Sequence, residues 1–182
     1  MILLIDNYDS FVFNVEQYIR ELTTEEVSVI RNDKITIDEI ISLNPSKIIL
    51  SPGPKYPKDS GICLDILKTL TDFPVLGICL GHQMLSIAHG YDTYKLKFGQ
   101  HGGNHPVANN GVVEITAQNH NYNVPDNIVE IADVTHINLF DNTIEGVKYK
   151  NKEIFSVQHH PEASPGPHES KYIFKQFADI VK

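Results

Sequence analysis

The segment PVLGICLGHQ places one cysteine, Cys79, between two glycines, Gly77 and Gly81. An apolar run precedes this cysteine and a helical pattern follows it. The thiol is therefore predicted at a helix N-terminus, where a nucleophilic thiolate is favoured. The Gly-x-Cys-x-Gly spacing is typical of a nucleophile on a sharp strand-to-helix turn. A lone cysteine is about as often a buried core residue, but the paired glycines favour the nucleophile. Cys63 lies inside a helical pattern and is predicted to be structural.

A thiol nucleophile needs a base, and the base needs a group that orients it. The segment VQHHPEAS supplies both, because His160 and Glu162 are two residues apart and leave the same face of an extended chain. Pro161 favours extended geometry at the residue before it. We therefore predict that Glu162 accepts a hydrogen bond from one nitrogen of His160 while the other nitrogen faces Cys79. His159 is predicted to point to the opposite face.

Acyl transfer also needs backbone N–H groups that point at the developing oxyanion. The loop SPGP, residues 51–54, contains Gly53, which lets a backbone N–H approach closely. The N–H of Leu80, directly after the predicted nucleophile, is the second expected donor. The loop is not a Walker A motif, because Lys55 has no following Ser or Thr and the glycine spacing differs. We therefore expect no ATP site.

These segments must be positioned by neighbouring strands, and the first half of the chain alternates short apolar runs with helical patterns. The predicted strands are residues 2–5, 27–30, 47–50 and 75–78, and the predicted helices are residues 11–22, 37–43, 59–70 and 81–89. Ser10 and Thr36 are predicted to cap the first two helices. This alternation predicts βαβ units and a parallel sheet. Asp6, the SPGP loop and Cys79 all follow strands, where such sheets carry their sites.

The second half of the chain changes character. Its predicted strands, antiparallel in style, are residues 92–99, 111–117, 127–134, 145–150 and 153–158. A last helix is predicted over about residues 168–181. We expect a single α/β domain over residues 1–182, with an open, mostly parallel central sheet, flanking helices and an antiparallel extension.

Composition excludes several classes of function. The formal net charge of -8 argues against a nucleic-acid or anionic-membrane partner. Two cysteines make no disulfide framework, the N-terminus lacks the basic region of a signal peptide, and the apolar runs are too short to cross a membrane. A cytoplasmic protein is therefore expected. The histidine spacings fit no standard zinc pattern, so we expect no metal and no cofactor, and predict His101, His105 and His120 as hydrogen-bonded loop residues.

In this order, the SPGP loop, GICLGHQ and HPE resemble the class I (triad) glutamine amidotransferases over essentially the whole chain. The resemblance implies hydrolysis of glutamine through a γ-glutamyl thioester and transfer of ammonia to a larger synthase subunit through a protected channel. By motif match, Cys79 is the nucleophile, His160 the base and Glu162 its orienting group. The remaining matches are Gly53 and Leu80 at the oxyanion positions, and Gln83, Asn119, Asn121 and Tyr122 at positions that contact glutamine, the last three in a loop.

The two halves resemble different members of that family. ILLIDNYDSFVFN, RND, LNP and SPGP resemble the amidotransferase subunit of anthranilate and aminodeoxychorismate synthases. From YKLKFGQHGGNHPV onwards, with HHPEASPGPHES, the chain resembles the small subunit of carbamoyl-phosphate synthetase. The length matches the anthranilate type, which favours a chorismate-using synthase as the partner. Ammonia supply for carbamoyl-phosphate synthesis is the alternative.

Two departures from the family pattern favour a further alternative, a catalytically weak regulatory subunit with the same fold. Lys55 replaces the last glycine of SPGPG, where the family brings backbone close to the substrate. Asn121 stands where the family has a glycine, although asparagine tolerates left-handed geometry better than other side chains. A cysteine peptidase of similar architecture is a third reading, which Gln83 and the HPE string disfavour.

Overall fold

The computed structural model describes residues 1–180. Its strands form from the short apolar runs of the sequence. The strands are β1 (Ile2–Asp6), β2 (Val27–Arg31), β3 (Lys47–Leu50), β4 (Val75–Ile78), β5 (Tyr94–Asn109), β6 (Val112–Asn123), β7 (Ala132–Asn138), β8 (Ile144–Tyr149) and β9 (Ile154–Val157). The helices are α1 (Val12–Leu22), α2 (Ile37–Leu43), α3 (Cys63–Thr69), α4 (Leu80–Ala88) and α5 (Tyr172–Ala178). Short 3₁₀ helices are Pro57–Asp59, Asp126–Glu130 and Glu169–Lys171.

All nine strands belong to one sheet, in the order β2-β1-β3-β4-β9-β8-β7-β5-β6. The pairs from β2 to β9 are parallel, and the pairs from β9 to β6 are antiparallel. The predicted α/β class, with a largely parallel sheet and an antiparallel extension, is confirmed. One assignment was wrong: β9, expected in the antiparallel part, pairs in parallel with β4, with Val75 opposite Ile154. It therefore joins the two halves of the sheet.

The core lies on both faces of the parallel strands. Leu3 and Ile5 of β1 face a cluster that contains α3 and α4 residues, whereas Ile2 and Leu4 face a second cluster that contains α1 and α5 residues. Because side chains of a strand alternate between faces, an unbroken apolar run such as this one is buried on both sides. Cys63 is fully buried in the first cluster, and burial raises the pKa of its thiol to about 12. It is structural, as predicted.

Helix boundaries differ from the sequence prediction where local chemistry intervenes. Thr36 caps α2 in a complete capping box with Glu39, as predicted. Ser10 does not cap α1, which begins after Phe11 without a side-chain cap. The helix predicted from residue 59 begins only at Cys63, because Gly61 adopts a φ of +59° before it.

Two further boundaries differ. Residues predicted to begin the strand at 127–134 form a 3₁₀ helix, and α5 begins later than predicted, after the 3₁₀ helix Glu169–Lys171. The predicted end of that last helix, Val181, lies outside the described residues. No helix within residues 1–180 has the length and hydropathy that crossing a membrane requires.

Candidate active site

Cys79 occupies a strained turn between β4 and α4. Its backbone has φ 50° and ψ −98°, a conformation that non-glycine residues rarely adopt. The residue is the N-cap of α4 and is 5% exposed. Its N–H donates a hydrogen bond of 2.8 Å to the carbonyl oxygen of Val157, at the end of β9. The thiol therefore stands at the carboxyl end of the parallel strands and at the N-terminus of a helix, as predicted.

The two flanking glycines allow close packing around this turn. A Cβ atom on Gly81 would lie 2.4 Å from the carbonyl oxygen of Leu50 in β3. A Cβ atom on Gly77 would lie 2.7 Å from the carbonyl group of Gly81. Neither glycine has a positive φ, so the strained conformation belongs to Cys79 itself. The spacing that predicted the turn therefore reflects how tightly α4 packs on the strands.

His160 and Glu162 form the predicted pair after β9. Nδ1 of His160 donates a hydrogen bond of 2.6 Å to Oε1 of Glu162, which is 1% exposed. The backbone around the pair is fixed from two sides. The N–H of His160 donates to the carbonyl oxygen of Ala117 in β6, and Nδ2 of Asn14 in α1 donates to the carbonyl oxygen of Glu162.

The electrostatic surroundings of His160 favour its protonated form. Burial lowers the pKa of His160, but the negative charges of a Cys79 thiolate and of Glu162 outweigh burial and raise this pKa well above its usual value. Its Nε2, the ring nitrogen that does not contact Glu162, is buried. The group can thus hold a proton on the side opposite Glu162.

A cavity of about 270 Å³ opens beside Cys79. Its lining contains all the predicted oxyanion and substrate-binding residues: Gly53, Leu80, Gln83, Asn119, Asn121 and Tyr122. His160 and Glu162 do not line it. They line a neighbouring cavity of about 330 Å³, and Asn119 lines both. The structure therefore gathers the predicted residues around one cysteine, with the His160–Glu162 pair on a second side.

The far wall of the first cavity is a strand, and the predicted loop there was wrong. Asn119, Asn121 and Tyr122 lie in β6, which pairs with β5 so that Asn119 is opposite His101. Among residues 1–180, Asn121 is not one of those with positive φ. The backbone there is extended, so the missing glycine causes no strain. The carbonyl oxygen of Tyr122 accepts a hydrogen bond of 3.0 Å from Nε2 of Gln83.

The prediction of His101, His105 and His120 as loop residues was also wrong, since all three lie in β5 or β6. They are hydrogen-bonded, as expected: His120 contacts the Tyr122 carbonyl oxygen at 2.9 Å through Nδ1. His159 is fully buried beside Glu145, with 3.7 Å between Nδ1 and Oε2, and burial lowers its pKa to about 3.

Two residues at the site were missed by sequence reasoning. Gln158 is fully buried, donates from Nε2 to the Cys79 sulfur at 3.5 Å, and accepts from Gln83 at 3.1 Å. Its spacing of two residues from His160 and four from Glu162 was an available signal, because alternate residues of an extended chain share a face. His101 contacts Asn121 at 2.9 Å and lines the cavity. No local signal marks it, because its place depends on strand pairing.

The fold and this arrangement of residues are those of a glutamine amidotransferase, and the model of the class-I glutamine amidotransferase family matches residues 3–180. The chain belongs to that family. Among known proteins it is similar to the carbamoyl phosphate synthase small chain of Helicobacter hepaticus, with 61% identity over 137 residues that cover 73% of this chain and 36% of that protein. It is 48% identical over 179 residues to the protein of the same name from Aquifex aeolicus, covering 93% of this chain and 46% of that one.

The chain therefore spans less than half the length of these two curated relatives. A solved structure from Thermoplasma acidophilum, described as that of a GMP synthase subunit, is similar in fold, with a TM-score of 0.78. It has 22% sequence identity and covers 97% of this chain and 91% of that one. This likeness supports the fold alone.

Proposed function

We propose that this chain hydrolyses glutamine and supplies ammonia to a larger synthase subunit of the carbamoyl-phosphate type. The observation that carries the proposal is the position of Cys79, on a strained helix N-terminus at the wall of a cavity and beside the His160–Glu162 pair. A buried thiol next to an oriented imidazole is what attack on a side-chain amide requires.

The reaction proceeds in two halves. The Cys79 thiolate attacks the γ-carboxamide carbon of glutamine, and His160 passes its proton to the amide nitrogen, which leaves as ammonia. The γ-glutamyl thioester that remains is attacked by water, from which His160 takes a proton, and glutamate leaves. Glu162 keeps Nδ1 of His160 protonated, so that Nε2 carries the exchange.

The negative charge on the carboxamide oxygen needs donors during both halves. The N–H of Leu80 belongs to the first turn of α4, whose N–H groups have no partner within the helix. The backbone of Gly53 packs closely against Asn7 and Leu80. A Cβ at Gly53 would lie 2.6 Å from the carbonyl oxygen of Asn7 and 3.0 Å from the Leu80 side chain. We assign these two N–H groups to the oxyanion. Asn119, Asn121, Tyr122 and Gln83 enclose the rest of the substrate.

The relatives favour the carbamoyl-phosphate route over the chorismate route that the N-terminal half suggested. The similar curated proteins are carbamoyl phosphate synthase small chains, at 45–63% identity. The match in length to the anthranilate-type subunit carries little weight beside that similarity. We therefore assign the partner as the large subunit of a carbamoyl-phosphate-forming synthase.

The test measures glutamate release from glutamine by the chain alone and with each candidate large subunit. We expect slow release by the chain alone and faster release with a carbamoyl-phosphate-forming subunit, because closure by a partner completes such sites. Faster release with a chorismate-using subunit instead would overturn the assigned partner. No release in any combination would overturn the enzyme itself and leave the regulatory alternative.

The matched variant is Cys79→Ser. Glutamate release should fall below detection because serine is a far weaker nucleophile than a thiolate, while binding to the large subunit stays intact. Labelling of Cys79 by a glutamine-like electrophile, followed by mass spectrometry, checks that the thiol is the reacting group. Loss of partner binding in the serine variant would instead make Cys79 a structural residue.

A further inference from the structure

Lys55 is distinctive among the residues that line the cavity beside Cys79. That lining includes no Asp, Glu or Arg from residues 1–180, so Lys55 is the lining residue that carries a permanent charge, on a side chain whose Nζ lies on the Tyr8 side of the loop. The chain as a whole carries a formal charge of -8. A positive group at this cavity is therefore a local exception to an acidic molecule, and it favours a ligand with an anionic group.

The ammonium group of Lys55 is also free to bind an anion. Within the described chain it makes no ion pair with a carboxylate, and its one described contact is with the ring of Tyr8, 5.9 Å from Nζ to the ring centre. By contrast Lys58, three residues further along, is held 2.9 Å from Asp92. An exposed lysine without a partner keeps its side-chain freedom until a ligand arrives.

The loop that carries Lys55 is fixed at both ends, so the position of its backbone is defined. On one side, Gly53 packs against Asn7 and Leu80. On the other side, Pro57 is buried, and the ring of Tyr56 packs edge-on against Tyr122 across the cavity, with 4.6 Å between ring centres. Lys55 is thus held near the cavity while its long side chain can move.

We propose that Lys55 binds the α-carboxylate of the substrate glutamine. This inference rests on the proposed function. Glutamine carries its carboxamide and its α-carboxylate at opposite ends, so a molecule whose carboxamide reaches Cys79 presents the carboxylate away from the thiol. Lys55 is the second residue after Gly53, so their Cα atoms are roughly 7 Å apart at most. Together with the flexible side chain, this spacing suits a small amino acid. The lysine in the SPGPK loop therefore assists glutamine binding.

The test combines a change in the protein with a change in the substrate. Lys55→Met keeps the length of the side chain and removes the charge. We expect KM for glutamine to rise about three- to ten-fold, because an ion pair at a solvent-accessible site is of modest strength, with kcat changed less than two-fold. For 4-aminobutanamide, which is glutamine without its α-carboxylate, kcat/KM should change less than two-fold. Lys55→Arg should keep KM for glutamine within about three-fold.

A control variant separates this role from a general effect on this part of the chain. Lys58→Met removes a lysine of the adjoining 3₁₀ helix, Pro57–Asp59, that does not line the cavity, and KM for glutamine should stay within two-fold of the unsubstituted chain. Equal losses for glutamine and 4-aminobutanamide in Lys55→Met would overturn the proposal. So would a KM for glutamine that is unchanged or lower, since Lys55 would then hinder binding or be idle.

A binding measurement keeps this inference distinct from the proposed function. Calorimetric titration of glutamine into Cys79→Ser, with and without Lys55→Met, needs no catalysis. Weaker binding in the double variant, with a difference that shrinks as salt is added, supports the carboxylate contact even if the intact chain releases no glutamate. Equal affinities of the two proteins for glutamine overturn the contact even if the intact chain is an active glutaminase.

Discussion

The conformation of Cys79 is the most informative single feature of the molecule. Its φ of 50° is rare for a residue with a side chain, and its burial leaves little water to compete for the sulfur. Strain of this kind costs about 1–3 kcal/mol and persists only where the surroundings impose it. Here the conformation of Cys79 is imposed by the hydrogen bond from its N–H to the Val157 carbonyl oxygen and by the start of α4 at the next residue.

The charge on the Cys79 sulfur should affect the pKa of the neighbouring His160. In Cys79→Ser the pKa of His160 should fall, because the thiolate makes the largest contribution that raises it. The imidazolium should therefore lose its proton at lower pH in the variant, as followed by NMR titration of the His160 ring. An unchanged titration would show that the thiol is uncharged beside His160.

The same shift sets the sign of a pH effect on stability. The folded-state pKa of His160 lies above the usual value of about 6.5. Protonation of His160 therefore contributes its full stabilisation of the fold below the usual pKa of about 6.5. This contribution is lost as pH rises through the raised folded-state pKa. Urea unfolding at several pH values should show Cys79→Ser losing less stability than the unsubstituted chain across that alkaline range.

At the scale of residues, the sequence was enough to place Cys79, His160 and Glu162 because each lies in a short motif whose chemistry is local. Gln158 and His101 could not be placed in this way. The contact of Gln158 with the sulfur joins residues 79 apart in the chain, and the position of His101 depends on the register of β5 against β6. Such contacts arise only when distant strands pair.

At the scale of elements, the site depends on how closely α4 approaches β3. Gly81→Ala would place a methyl group 2.4 Å from the Leu50 carbonyl oxygen. Relieving this clash would require the backbone of β3 or α4 to shift. We expect a loss of about 1–3 kcal/mol in the free energy of unfolding and a large loss of glutamate release, because α4 carries Leu80 and Gln83. Chemical denaturation and the glutaminase assay measure the two effects.

Gly103→Ala is the matched control for this substitution. Its Cβ would meet only the flexible side chain of His105, at 3.1 Å, and the φ of Gly103 is not in the left-handed region. Stability should change by less than about 1 kcal/mol, helped by the smaller entropy of the unfolded chain. Equal losses at both glycines would mean that the approach of α4 to β3 is not special.

The N-terminal cap of α2 should affect the stability of the fold but not its activity. Thr36→Ala removes the side-chain oxygen that accepts from the N–H of Glu39, and it should lower the free energy of unfolding by about 1 kcal/mol. Glutamate release should be unaffected, because neither residue of the capping box lines either cavity described here. A change in kcat would show that α2 is coupled to the site.

Element types were predictable where the apolar pattern is strong, as in β1, β3, β4 and α2. Two kinds of error remained. Gly61 delayed the start of α3, because a left-handed residue interrupts a pattern that is otherwise helical. The direction of β9 was unpredictable, because its four residues pair with β4 on one side and β8 on the other, in opposite senses.

At the scale of the whole molecule, a buried polar cluster links the strands of the antiparallel part. Glu145 of β8 is fully buried and accepts hydrogen bonds from Gln118 of β6 and Asn138 of β7, at 3.0 and 3.3 Å. His120 and His159 lie 3.8 and 3.7 Å from its carboxyl oxygens. Burial raises the pKa of Glu145, and His120 and the two amides oppose that shift.

We expect Glu145→Leu to cost about 2–5 kcal/mol in the free energy of unfolding, because the buried amides of Gln118 and Asn138 each lose a partner. Denaturant titration measures the cost. The control is Glu153→Leu, which removes a 60% exposed carboxylate paired with Lys148 and should cost about 1 kcal/mol or less. A cost no greater than the control's would show that the cluster contributes nothing to joining the strands.

The place of β9 in the sheet also has a consequence for biosynthesis. Strand β4, which leads into Cys79, pairs with β9, whose residues leave the ribosome about eighty positions later. The chain after β9 leads directly to His160 and Glu162. A nascent chain that ends before residue 154 contains Cys79 but neither His160 nor Glu162, and β4 is still an open sheet edge. If His160 is the base proposed above, we expect that incomplete molecules cannot consume glutamine, because His160 follows directly after the strand that completes the sheet.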